Sequence, residues 1–200
     1  MAQPMITEEQ ARRIVLATAE DVPLAVYGCT LSPRGDYWVV EANSERWVLH
    51  GDFRDMLVGV SAYLVHAVTG ALSLVGSAQQ WQDCVEDLHD LDVAAGRHYV
   101  LVPGCDPHDR QAAMRLHRQL ACSLLDSRYL LSADGRSWLT GTRRVLATVQ
   151  AALQERDIAA DIELMRETGA ALPVTVDDAS WDSMAPLIRR RAAERQGARN

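Results

Sequence analysis

The stretch Tyr63-Leu-Val-His66-Ala-Val-Thr69-Gly70-Ala-Leu-Ser-Leu-Val-Gly76-Ser77-Ala-Gln-Gln80-Trp81-Gln-Asp83-Cys84-Val85-Glu86-Asp87-Leu88 decides the fold of the first half of the chain. Two β-rich runs flank a tight turn at Thr69-Gly70, and the second ends at Gly76, as in a hairpin. A helix follows: Ser77 is a suitable N-cap, and Gln80 stands three residues later, where a capping box places it. Trp81, Cys84, Val85, Leu88 and Leu91 then recur at helical spacing and predict one buried stripe. Gln82, Asp83, Glu86, Asp87 and Asp90 fall between them and face outward, giving the helix an acidic side. Carboxylates toward a helix C-terminus oppose its macrodipole, and a basic partner would offset that.

Upstream, Thr7-Glu-Glu-Gln10 is a second capping-box signature, opening a helix to about Ala19 with Ala11, Ile14, Val15 and Thr18 inward. Leu24–Leu31 reads as a strand. Ser32-Pro-Arg-Gly-Asp36 is a turn in which Pro presets φ and Gly supplies the left-handed conformation. Tyr37-Trp-Val-Val-Glu-Ala42 is the returning strand, rich in β-formers. In residues 43–58, Trp47–His50 reads as a short strand and Gly51–Asp55 as a surface loop. The sum is an α+β domain over 1–95, with helices on one face of an antiparallel sheet.

These elements resemble the bacterial family that includes the YrhB-like proteins and immunity protein family thirty-five of polymorphic toxin systems. The resemblance rests on the helix from Thr7, the aromatic strand Tyr37-Trp38-Val39-Val40-Glu41, Val65, Thr69-Gly70, Gly76-Ser77 and the acidic helix after Trp81. It covers about residues 6–90. His66 departs from it, standing where the family tends to place an acidic or amide turn residue. Residues 43–58 align poorly.

The second half begins after Gly96. His98–Val102 reads as a strand and Asp109–Leu125 as a helix with Ala113, Leu116, Leu120 and Leu124 inward. Ser127–Ala133 and Arg136–Thr140 read as strands joined by Asp134-Gly135, a two-residue hairpin signal. Thr142 caps a helix, and Ala160–Met165 closes as a strand. The order predicts a βαββαβ (ferredoxin-like) domain over 96–176. Residues 177–200 form a C-terminal helix and tail, whose last residues are expected to fray.

Charge separates the halves. Residues 1–95 hold 14 Asp and Glu against 5 Arg, whereas 96–200 hold 13 against 15. The strongly acidic first half disfavours nucleic acid and admits a basic protein partner. Every basic residue is arginine, which excludes Schiff-base and P-loop lysine chemistry. No apolar run reaches the roughly 18 residues of a membrane span, and the first residues lack both the basic start and the apolar core of a secretion signal. A cytoplasmic protein is expected.

Catalytic motifs are missing from the sequence. Cys29, Cys84, Cys105 and Cys122 show no CxxC spacing and suit buried free thiols. Cys105, His108 and His117 match no standard zinc pattern, so neither a metal nor another cofactor is expected. Cys105 and His108 could pair as thiol and base, but three residues of separation rarely supply that geometry.

The resemblance therefore implies a non-enzymatic role. The chain would be a cytoplasmic immunity protein that binds a cognate toxin domain with a basic surface and blocks its active site. Asp83, Glu86, Asp87 and Asp90 are the candidate contacts, with Trp47 and Arg46 in the 43–58 segment as a second set; Trp47 suits a core role equally well. The second domain would widen the interface or mediate homo-oligomer formation. The alternative is a chaperone-like or adaptor module with no dedicated toxin.

Overall fold

The computed structural model describes residues 5–197, with backbone alone for 194–197. Part of the tail expected to fray lies outside them. The chain divides into two compact units, one ending at Leu88 and the next beginning at His89. The division falls inside a helix, ahead of the boundary expected near residue 95.

In the first unit, helix α1 (Glu8–Leu16) begins as the capping box predicts: Thr7 Oγ1 accepts from Gln10 N and Gln10 Oε1 from Thr7 N. Strands β1 (Leu24–Leu31), β2 (Tyr37–Ser44), β3 (Val60–His66) and β4 (Leu72–Gly76) form an antiparallel sheet in sequential order. Alternation along β2 assigns the two faces. Val40 and Ala42 pack with Ala11 and Val15 of α1, whereas Tyr37 and Val39 pack with Val85 of α3 (Trp81–Ala94). The helices thus lie on opposite faces of the sheet, not together on one. Thr18 is exposed, beyond the end of α1.

The β3–β4 turn carries the chemistry at His66. Its Nδ1 accepts from Val68 N and Thr69 N, both at 3.1 Å, while Gly70 takes φ 73°. A carboxylate or amide would offer the same acceptor, so the histidine fills the role of the acidic or amide residue expected there. Ser77 does not cap α3. Gln79 closes a turn back onto Gly76 through both its amide and its side chain, delaying the first helical bond to Cys84 N and Gln80 O. The buried stripe holds from Trp81 to Leu88, but Leu91 is exposed.

The second unit contains β5 (His98–Pro103), α4 (Arg110–Gln119), α5 (Leu124–Leu131), β6 (Leu139–Thr140), α6 (Arg143–Gln154), β7 (Ala160–Met165), β8 (Leu172–Pro173) and α7 (Trp181–Gly197). The sheet order is β7-β5-β6-β8, and β5 runs antiparallel to both β7 and β6. This is not the βαββαβ arrangement. The expected helix to Leu125 stops at Leu120, where Ala121 turns left-handed at φ 48°; His117 Nδ1 meets the Cys122 carbonyl at 2.5 Å. Ser123 then caps a new helix with Asp126 as its box partner, and the expected strand at 127–133 is that helix. Gly135 is no hairpin glycine. A Cβ there would lie 1.9 Å from the Tyr129 carbonyl oxygen, so close packing demands the glycine.

One core serves this unit, built around the fully buried Trp138, whose indole N–H donates to Leu130 O at 2.9 Å. The C-terminal helix does not stand apart from it, because Met184, Ala185, Ile188 and Ala192 of α7 join the same core. Beside them Arg191 is 4% exposed. Its Nε donates to Ser137 O at 3.2 Å, Nη1 to Tyr129 Oη at 3.0 Å and Nη2 to Asp134 O at 2.7 Å. Among the described residues no carboxylate pairs with it, and neutral oxygens solvate the charge. Removing the guanidinium takes the donor from Ser137 O and leaves Asp134 O only the 3.4 Å contact from Tyr129 Oη, so Arg191→Ala should cost about 3 kcal/mol. Exposed Arg190→Ala should stay within about 0.5 kcal/mol, and urea denaturation compares the two.

Candidate functional site

The segment joining β2 to β3 is the most unusual surface of the first unit. Ser44 caps helix α2 (Glu45–His50) by accepting from Trp47 N at 3.2 Å, and Gly51 ends it at φ 69°. The strand expected at Trp47–His50 is therefore this helix: a cap before it and a left-handed glycine after it outweigh four β-formers. A 3-10 turn follows at Phe53–Asp55, started by Asp52.

Exposed apolar side chains crowd this segment. Leu49 is 62% exposed, Phe53 77% and Val58 82%, with Met56 and Leu57 also open. Half-exposed Tyr27 of β1 meets the half-buried Trp47 edge to face, with ring centroids 5.6 Å apart. Burial, then the neighbouring Glu41 carboxylate, push the pKa of the Tyr27 hydroxyl up. Large apolar groups gathered on a surface mark interaction sites.

Buried polar side chains hold the segment in place. Asn43, 8% exposed, donates from Nδ2 to Leu57 O at 3.0 Å and accepts at Oδ1 from Leu57 N at 2.7 Å. The same oxygen accepts from Ser44 N at 2.8 Å, and Ser44 Oγ donates to Asp55 O. The loop is therefore preformed.

The expected contact residues fare unequally. Arg46 is exposed and lies 3.7 Å from Asp55, and Trp47 joins the apolar segment through Tyr27. On α3, Glu86 is exposed, whereas Asp83 and Asp87 are half-buried and already interact with other groups of the chain. Asp90 belongs to the second unit. It faces Arg143 at 3.7 Å, and its carbonyl accepts from Tyr99 Oη at 3.0 Å. The four carboxylates do not form one free surface. The sequence does not single out Asn43, Leu49, Phe53 or Met56-Leu57-Val58; the one signal it offers is an apolar triplet among turn-formers with no periodic partner.

The Cys105–His108 loop offers no assembled nucleophile. Burial first, then Asp109, push the Cys105 thiol up from its ordinary value. Among the described residues neither side chain hydrogen-bonds the other, and no group of three His, Cys, Asp or Glu could hold a metal ion. No helix among them is long and apolar enough to cross a membrane.

Compared with family models, with curated proteins and with solved structures, the chain matches none.

Two outcomes follow from this geometry. Asn43→Ala strands both peptide groups of Leu57, costing about 1–3 kcal/mol, and limited proteolysis should then cut between Gly51 and Gly59 well before the parent chain is cut. Because the Cys105 thiol is raised, its alkylation by iodoacetamide should lag a free model thiol at pH 8 and accelerate only in more alkaline solution. Mass spectrometry of the labelled peptide reads the difference.

Proposed function

We propose that this chain is a cytoplasmic immunity protein that binds a cognate bacterial toxin domain and covers that domain's active site. The observation that carries the proposal is the apolar segment 49–58, held in place by Asn43 and Ser44. A preformed loop loses little conformational entropy on binding, so burial of Phe53, Leu49 and Val58 converts more fully into affinity. Phe53, 77% exposed, is the anchor that would fill a pocket on the toxin.

Charge has a separate role. Glu86 and the acidic balance of the first unit favour a toxin with a basic surface and speed its approach. Asp83 and Asp87 add to that field without being contacts, and Asp90 is spoken for by Arg143. The resemblance of residues 6–90 to the immunity family supports the same function. Steric occlusion needs no cofactor, nucleic acid or membrane. The lack of a helix able to span a bilayer among the described residues is consistent with a cytoplasmic site of action.

The same exposed apolar groups also suit a chaperone-like module, and one experiment separates the two. The genes flanking this one are searched for a toxin domain, any such domain is co-expressed with the chain, and complex formation is titrated. Wild type should rescue growth and form one stoichiometric complex. Phe53→Asp should weaken binding by about a hundredfold, the scale of losing an interface anchor. Glu86→Arg should mainly slow association, and Asp90→Asn should protect like wild type. Full protection by Phe53→Asp would sink the proposed surface. Binding to many unfolded clients without a defined complex would move the assignment to the chaperone-like module.

A further inference from the structure

The second unit carries a cleft that the proposed toxin surface does not use. It encloses about 700 Å³, within the roughly 300–1,000 Å³ typical of ligand sites. Three pieces of chain form it: the loop at Pro107 and His108, the first turn of α4 at Arg110 with Ala113 behind it, and Arg128 of α5 with the turn at Ser132. Buried Ala113 keeps the floor low.

The neutral and acidic groups of the wall are already satisfied. Asp109 accepts from Gln111 N at 2.7 Å and Ala112 N at 3.2 Å, and it stands 4.0 Å from Arg115. The helix start is thereby capped from within, so its amides are not the attraction. Ser132 Oγ donates to Tyr129 O at 2.7 Å. What remains is cationic. Among the described residues neither the Arg110 nor the Arg128 guanidinium has an ion-pair or hydrogen-bond partner, and the His108 ring has none. A second cleft of about 430 Å³ starts from the same Arg110 and continues past Arg115 and Arg118. Behind the turn, Arg191 donates to three neutral oxygens.

With no partner among the described residues, two guanidiniums that line one concavity offer an anion two sources of positive charge. Their planar forks match phosphate oxygens two at a time. We propose that this cleft binds a phosphate-bearing small molecule, a diphosphate group bridging Arg110 and Arg128 with His108 as a third donor. The organic part of the ligand would lie against Pro107 and Ala113. The site is independent of the toxin-binding surface, and either assignment can fail without the other.

The probe is sodium pyrophosphate, titrated calorimetrically into the full chain at low ionic strength, where screening is weakest. Saturable one-to-one binding is expected. Arg110→Gln and Arg128→Gln should each weaken it by about tenfold or more, whereas Arg34→Gln, on the β1–β2 turn of the first unit, should bind as wild type does. Both target side chains are exposed, so the variants should melt with the parent. A melting temperature that rises with pyrophosphate, but not with sodium chloride of equal ionic strength, supports the same site without any variant. Failure to saturate by about 10 mM, or equal affinity in all three variants, overturns it.

Discussion

The first unit's surface depends on one interaction, the exchange of hydrogen bonds between the Asn43 side chain and the peptide groups of Leu57. A sheet strand that ends and wanders for fifteen residues before the next strand leaves its backbone without ladder partners. Each unpaired, water-excluded amide or carbonyl there would cost about 1–3 kcal/mol. Asn43 supplies one donor and one acceptor in the spacing of a peptide bond, so it extends the pairing beyond β2 with a side chain. Ser44 repeats the device at Asp55 and caps α2 as well. With its backbone secured, the segment can present apolar side chains to water without collapsing inward.

Arg191 meets the same demand in the second unit. The turn after α5 has no strand to pair with, and its carbonyls at Asp134 and Ser137 converge on one guanidinium. Arginine suits this place because its planar fork reaches several acceptors without adjustment. Burying a charge carries a desolvation penalty. Here the penalty is offset by aligned carbonyl dipoles and by the Tyr129 ring, whose centroid lies 5.4 Å from the guanidinium carbon. In both units a buried polar side chain gives an irregular turn a fixed shape.

This also marks where the sequence was legible. Elements set by local rules were read well: the Thr7 box, the strands from Leu24 and Tyr37, the Thr69-Gly70 hairpin and the Thr142 cap all depend on residues close in the chain. Errors arose where a distant contact or a competing cap decided. Ser77 looked like an N-cap until Gln79 closed its own turn. Asp134-Gly135 carries a hairpin dipeptide, yet its glycine answers to Tyr129. Ser123-Leu-Leu-Asp126 held a cap that the longer helical pattern from Asp109 concealed. Asn43 was invisible as a clamp because nothing local to it names Leu57.

The candidate site shifted for a related reason. Charge patterns are readable from sequence, so the acidic side of α3 drew attention first. Burial and pairing are tertiary, and they withdraw Asp90 into an ion pair while leaving Glu86 open. An acidic field acts over a Debye length of about 8–10 Å and does not require its residues to touch a partner. Apolar contact does require touch, and it is the contribution that resists salt. In the proposed complex the two tasks would be separated, with charge governing encounter and residues 49–58 governing retention. Loss of charge should then appear in the association rate, and loss of Phe53 in the dissociation rate.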